Sequence, residues 1–297
     1  MQLACTGLSY SYPGQNAGHA GKAALQSVSL SVSTGECLAV IGHSGSGKST
    51  LAQLLAGLLK PTAGQVLLEG QVVVDSRHRK SLFQKVSMAF QYPETQLFAP
   101  TVADDVAFAA RNAGWPSQRV AEAVEAALWQ VGLDPKHYQA RSPFELSGGE
   151  QRRVALAGLL VLDTPFLILD EPVSGLDPAG RRKTLGLIKK LKQNGHGIVL
   201  VSHQMEDVAE LADQICVLKD GEVLLAGSAA EVFAQGALLH EVNLGVPAAE
   251  DFAQRLRQRG LALPPTLLTI DQLADALALT LDPDKRPLRQ ANQGQAG

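Results

Sequence analysis

At 297 residues, with 45% hydrophobic and 19% charged side chains, the chain has the composition of one large globular domain, or of a domain with an appendage. A formal net charge of −3 supplies no global basic field and argues against a protein that handles nucleic acid. Three cysteines, Cys5, Cys37 and Cys216, lie far apart with no C-x-x-C, which argues against a disulfide framework or a zinc site and for reduced thiols in a cytoplasmic protein.

The N-terminus has no basic region followed by an apolar run, so no signal peptide is expected. Residues 3–41 are predicted to be β-rich, because "VSLSVSTGECLAVIG" alternates and then becomes a continuous apolar strand ending in glycine. A helix is predicted from Lys48 through "STLAQLLAGLL", stopped by Pro61. "GQVLLEGQVVV" reads as strand, turn, strand, and "SLFQKVSMAFQ" as a further strand. From Val102 to Gly132 the pattern is helical, with Val120, Val124, Ala127 and Leu128 at three- and four-residue spacing. "FLILD" at 166–170 and "GIVLVSH" at 197–203 are short apolar strands of the doubly covered parallel kind. "ICVLKDGEVLLAG" is a hairpin turning at Asp220-Gly221. This alternation predicts an α/β fold with a parallel sheet and an antiparallel edge, ending near Phe233. Two amphipathic helices form a C-terminal appendage over 234–281, and the polar stretch 282–297 is expected to be disordered. The longest apolar run, "VALAGLLVL", is far short of the roughly 20 residues that cross a bilayer, so any membrane role is exercised through a partner.

Three motifs carry chemistry. "GHSGSGKST", comprising Gly42, His43, Ser44, Gly45, Ser46, Gly47, Lys48, Ser49 and Thr50, fits G-x-x-x-x-G-K-[ST] between a strand and a helix. Its glycines let successive amides wrap a phosphate, and the helix N-terminus adds its positive end. Lys48 is expected on the β and γ phosphates of a bound nucleotide and Ser49 on Mg²⁺, while His43 fills a variable position. "FLILDEP" ends a buried strand in two carboxylates: Asp170 suits the Mg²⁺ shell and Glu171 the attacking water. "LSGGEQRR" opens a helix. Ser147 and Glu150 form a capping box in the sequence, which is a structural reading in its own right. Gly148 and Gly149 are poor helix formers in a first turn, and they make sense where something approaches the backbone closely.

The order of the cradle, "LSGGE", "LILDEP", "SGLD" at 174–177 and "SHQMED" at 202–207 resembles the nucleotide-binding domain of ABC transporters. The resemblance implies a P-loop NTPase over 3–233 with a RecA-like parallel-sheet core, an antiparallel β subdomain and a helical signature subdomain at about 95–162. It implies a head-to-tail dimer in which Ser147, Gly148, Gly149 and Glu150 act on the ATP of the facing subunit. It assigns Asp177 to coupling across that interface, His203 to the γ-phosphate, Gln91 to Mg²⁺ and water, and Tyr12 to stacking on adenine, with Tyr10 as a rival. Glu150 departs from the more usual glutamine.

"FQYPETQLF" followed by "TVADDVAFAARNAG" resembles the glutamine-loop region of energy-coupling factor transporter ATPases, and the motifs look like the second of their two paralogues. "LGVPAAEDFAQRLRQRG" resembles their C-terminal extension. The family implies a second such ATPase, as heterodimer or homodimer, at the cytoplasmic face of the membrane. It also implies a transmembrane coupling subunit, a substrate-binding membrane subunit, and import of a vitamin or transition-metal ion. Glu94, Leu97 and Phe98, with Asp104 and Asp105, are expected to form an acidic and apolar groove for the membrane partner; packing of Leu97 and Phe98 under the helical subdomain is the alternative. A conventional ABC importer shares every ATP motif but not "PETQLF" or the appendage. A repair or ribosomal ABC ATPase is disfavoured by the single cassette and the lack of a heptad run.

Overall fold

Two sheets organise the chain, and the computed structural model describes residues 1–13, 23–73 and 82–281 of it. The antiparallel sheet contains β1 (Gln2–Ser11), β2 (Ala23–Ser33), β4 (Ala63–Leu68) and β5 (Gln71–Val72), in the order β2-β1-β4-β5. Leu3, Cys5 and Leu8 of β1 and Leu25, Val28 and Val32 of β2 are buried on its inner face; the alternation is broken where the register shifts between Cys5 and Leu8, with Gly7 at φ 56 and Ser27 at φ 53, and this keeps the odd-spaced residues on one side.

The second sheet contains β3 (Cys37–Ile41), β6 (Val86–Ala89), β7 (Phe166–Asp170), β8 (Gly197–Val201), β9 (Gln214–Lys219) and β10 (Glu222–Ser228). Its order is β10-β9-β3-β8-β7-β6, parallel except for β10 at the edge. Every residue of β3, β7 and β8 is buried, as their continuous apolar sequences predict. Phe166, Ile168, Val199 and Val201 pack toward the antiparallel sheet and α1 (Lys48–Leu55). Leu167, Leu169, Ile198 and Leu200 pack toward the helices on the opposite face.

The register positions the site. Val201 pairs with Val40 on one side and with Asp170 on the other. Three strand ends therefore finish at one level, and the residues that follow them meet in the crevice where open α/β sheets bind ligands.

The region 102–132 is two helices, α2 (Val102–Asn112) and α3 (Ser117–Gln130). Gly114, at φ 76, takes the left-handed turn after the first, and Pro116 directly precedes the second. They pack with α5 (Gly148–Leu160), while the short α4 (Pro135–Tyr138) leads toward it. α6 (Pro178–Gln193) follows β7, and α7 (Met205–Leu211) follows β8.

Core packing continues past Phe233, the expected end. After α8 (Ala229–Phe233), α9 (Gly236–Glu241) supplies Leu239, and the chain beyond supplies Val242 and Leu244, to a cluster with Ile215 and Val217 of β9. The two amphipathic helices are α10 (Ala248–Gln258) and α11 (Ile270–Leu281), with their own small cluster of Ala249, Ala253, Leu267, Leu273 and Ala276. Buried Glu250 pins this unit by accepting from Arg257 Nη1 at 2.9 Å and from the Leu267 amide at 2.6 Å. The stretch expected to be disordered, 282–297, lies outside the described residues. All three cysteines are free and buried, and burial pushes the Cys37 and Cys216 thiols up to about 12. No helix among the described residues is long and apolar enough to cross a membrane.

Candidate functional site

The loop Gly42–Gly47 joins β3 to α1 at the centre of the parallel sheet. An added Cβ at Gly42 would meet the Leu218 carbonyl oxygen at 2.3 Å, and one at Gly47 would meet the Ala24 carbonyl oxygen at 2.4 Å. Packing therefore forces glycine at both positions. Gly45 differs: at φ 82 it faces open space and lines a cavity of about 260 Å³ with Tyr12, Lys48, Ser49 and Thr50. A backbone bared toward a cavity at a helix N-terminus fits the phosphates of a nucleotide.

The hairpin turn Asp220-Gly221 braces this loop from behind. Its two residues have φ 50 and 86, the left-handed pair of a tight two-residue hairpin. The Gly221 amide donates to the Ser46 carbonyl at 3.1 Å, and the Gly221 carbonyl accepts from the Gln26 amide at 2.8 Å. His43, treated as a spacer from the sequence, places Nε2 3.6 Å from Asp220 Oδ1.

Lys48 Nζ donates to the carbonyls of Gly42 at 2.8 Å and His43 at 2.9 Å, which holds the ammonium against the loop's own backbone. Burial lowers its pKa, while Glu171 and Asp170 oppose that shift. Asp170 is 6% exposed; burial raises its carboxyl, offset by a hydrogen bond from Ser49 and by the charge of Lys48. The Ser49 hydroxyl and Asp170 are hard oxygen donors already in contact, and they fit Mg²⁺, whose sites take one or two protein oxygens and complete the shell with phosphate and water. No cluster of three or more acidic, histidine or cysteine side chains that could hold a metal by itself occurs among the described residues.

Glu171 and His203 meet at the same level. His203 Nδ1 donates to Glu171 Oε1 at 2.6 Å, while Glu171 Oε2 is buried without a partner. Glu171 has φ 51, a left-handed conformation that costs a residue with a Cβ about 1–2 kcal/mol. Its amide, bonded to the Val201 carbonyl at 2.9 Å, and its carbonyl, accepting from Arg152 Nη2 at 3.3 Å, hold it there. Tyr12 Oη lies 3.0 Å from Thr50 Oγ1, and the ring lines the cavity at 44% exposure. Tyr10 packs edge-on against Tyr12, with centroids 5.0 Å apart, and joins the core behind it.

The signature forms the capping box read from the sequence, with one addition. The Ser147 amide donates to Glu150 Oε2 at 2.9 Å and the Ser147 hydroxyl to the same oxygen at 2.6 Å, while Tyr138 Oη donates to Glu150 Oε1 at 2.7 Å. The Ser147 and Tyr138 bonds hold the Glu150 carboxyl down at about 2. A Cβ at Gly148 would meet nothing within 4 Å, so packing within this chain does not require glycine there. Asp177 caps α6, with Oδ1 accepting from the Gly180 amide at 2.9 Å.

Gln91 is exposed in the bend after β6, and Tyr92 beyond it has φ 57. A groove of about 280 Å³ follows, lined in part by Leu97, Phe98, Asp105 and Phe108. Phe98 is 59% exposed and packs edge-on to Phe108, with centroids 4.9 Å apart, while Leu97 is buried beneath. Asp105 accepts from the Phe98 amide at 2.9 Å and the Ala99 amide at 2.8 Å, fixing the rim. The other two acidic residues expected here stand elsewhere. Asp104 is taken up by Thr101 and Arg111, and Glu94 turns inward to Arg152. Phe108, Tyr138 and Arg152 are contributors that the sequence did not single out. Arg152 was visible in principle: it shares the helical stripe of Leu156 and Leu160, an apolar position filled by a cation.

The ABC transporter family matches residues 25–174. A protein of Symbiobacterium thermophilum named energy-coupling factor transporter ATP-binding protein EcfA2 is 48% identical over 255 residues, covering 86% of this chain and 88% of its own. A protein of the same name from Enterococcus faecalis is 45% identical over 258 residues, covering 86% and 89%. Among solved structures, cbiO1 from Clostridium perfringens, described as part of the ABC transporter complex cbiONQ, superposes with a TM-score of 0.69 at 34% identity, covering 81% of this chain and 94% of that one. The dimeric ATP-binding cassette MJ0796, in a post-hydrolysis state with ADP and Pi, superposes with a TM-score of 0.67 at 27% identity, covering 76% and 98%.

Proposed function

Because the chain belongs to the ABC transporter family, and within it to the energy-coupling factor transporter ATP-binding proteins, we propose that it drives uptake of a vitamin or a transition-metal ion by hydrolysing ATP beneath a membrane complex. It is the ATP-binding, ATP-hydrolysing subunit of such an importer and works as part of a dimeric ATPase. The observation that carries the reading is the convergence of Lys48, Asp170, Glu171 and His203 at the ends of three adjacent strands. Lys48 leaves the loop carbonyls for the phosphates, and the bare amides around Gly45 cradle them. Ser49 and Asp170 would hold Mg²⁺, with Gln91 as a further candidate for its shell; the ion would supply charge neutralisation at the phosphates. Glu171, its unpartnered oxygen free, orients the attacking water, while His203 fixes the carboxylate and reaches toward the γ-phosphate. Tyr12, whose ring lines the cavity, would stack on adenine.

Ser147, Gly148 and Gly149 serve the ATP of a facing subunit, which accounts for glycines that packing within this chain does not require. The facing subunit is a second ATPase of the family. A transmembrane coupling subunit docks a helix into the groove of Leu97, Phe98, Asp105 and Phe108, and carries a substrate-binding membrane subunit; this chain sits peripherally on the cytoplasmic face.

Capture of the chain from detergent-solubilised membranes tests this. A second ATPase and both kinds of membrane subunit should co-purify, whereas two permease-type subunits with no small substrate-binding membrane protein would favour a conventional importer. Phe98→Asp, which places a charge on the groove's exposed apolar rim, should reduce recovery of the membrane subunits by about tenfold or more while sparing ATP binding; undiminished recovery would remove the groove from the docking surface. Phe98 is a cleaner probe than Glu94, because a lysine at 94 would also face Arg152.

A further inference from the structure

Arg152, in the second turn of α5, is only 4% exposed, and it joins three segments that otherwise act separately. Its Nη1 donates to the Ser174 carbonyl at 2.7 Å, in the turn leading to Asp177. Nη2 donates to the Glu171 carbonyl at 3.3 Å. The same Nη1 lies 3.9 Å from Glu94 Oε1, in the turn Pro93–Gln96 between Gln91 and the groove. Its own helix begins at the signature glycines.

Two features point to function rather than to stability. Burying a guanidinium is costly, and a well-packed apolar side chain usually serves stability as well or better. The ion pair is also incompletely closed: Arg152 Nε and Glu94 Oε2 are both buried and both lack a hydrogen-bond partner. A carboxylate and a guanidinium have a tighter alternative, the two-bond fork; satisfying both orphaned atoms would use the Nε–Nη2 edge, so the guanidinium must turn from its present Nη1 contact to make it. The segments concerned are held in uncommon backbone states, Tyr92 at φ 57 and Glu171 at φ 51, and Arg152 bonds the carbonyl of the second.

We propose that Arg152 is a positioning residue that couples the Gln91–Phe98 segment to hydrolysis: as the Glu94 contact closes or opens, Arg152 shifts the Glu171 backbone and the signature helix together. The coupling rests on the docking groove and the ATPase site proposed above. It makes Arg152 and Glu94 one element with two arrangements, biased from the groove at one end and from the nucleotide at the other.

The test uses the assembled complex with Arg152→Met, Glu94→Gln and the double variant, measuring kcat, KM and ATP affinity. Arg152→Met should lower kcat by about tenfold while leaving ATP affinity within about twofold, and the double variant should lose no more than Arg152→Met alone. Arg152→Lys, which keeps the charge but not the fork, should recover part of the loss. A kcat within about twofold of the unmodified complex overturns the proposal, as does a double variant whose loss is the product of the single losses. If Arg152→Met does not assemble, Glu94→Gln decides alone: it leaves the guanidinium's carbonyl partners in place, and an unchanged kcat overturns the coupling. Glu171→Gln, run alongside, separates the two readings. Lost turnover there with normal turnover in Arg152→Met overturns only the coupling, whereas normal turnover in Glu171→Gln overturns the site.

Discussion

Glu171→Gln is expected to retain ATP binding and to lose turnover by about 10²-fold or more, a barrier increase of about 3 kcal/mol or more. The substitution changes little except basicity. Glutamine keeps the shape of the side chain and an oxygen to accept from His203 Nδ1, and the backbone bonds to Val201 and Arg152 that hold φ 51 are untouched. What is lost is the carboxylate charge that would polarise the attacking water; Oε2, buried and without a partner, carries part of that charge. The measurement is ATPase rate at saturating ATP in the assembled complex, with nucleotide affinity determined in parallel. Near-normal turnover would sink the assignment of Glu171.

Lys48→Ala is expected to weaken ATP binding by about 10²-fold or more, since charge-assisted hydrogen bonds to phosphate contribute about 1.5–3 kcal/mol each. The folded state should barely notice. Lys48 bonds two loop carbonyls, and its ammonium is already partly desolvated, so removing it costs little without nucleotide. Thermal unfolding with and without ATP distinguishes the effects. Nucleotide at 100 times its dissociation constant stabilises the unmodified chain by about 2.7 kcal/mol. The variant should melt like the parent without ATP and gain almost nothing on its addition. A full ATP-induced shift in Lys48→Ala would mean that the phosphates lie elsewhere.

What could be read in advance follows from how each residue is positioned. Gly42 to Thr50 and Asp170-Glu171 sit directly after buried strands, so local pattern fixes both their conformation and their place at the sheet's end. His203 is legible for the same reason, two residues beyond β8. The capping box is local as well, spanning Ser147 to Glu150, but its third member, Tyr138, comes from the preceding helix and has no signature in spacing. Glu94 shows the limit most clearly. In the sequence it stands among acidic and aromatic residues that suggest a surface groove. Its direction is set by Arg152, about sixty residues later, and no periodicity within a short turn reveals such a partner. The break between α2 and α3 was open to reading from Gly114 and Pro116, two residues that punctuate an otherwise continuous apolar pattern.

The brace behind the phosphate loop has a consequence for synthesis. β3 is emitted early, yet its two neighbours are β8 and β9, and the turn that supports Ser46 is Asp220-Gly221. The loop's defining motif thus leaves the ribosome long before anything exists to hold it. At about 5–20 residues per second the interval is on the order of ten seconds or more, during which an apolar strand waits without partners. A nascent chain that stops short of Gly221 carries the complete ATP-binding motif in its sequence and no stable site in its fold. ATP binding is therefore expected to report on chains synthesised at least as far as Gly221.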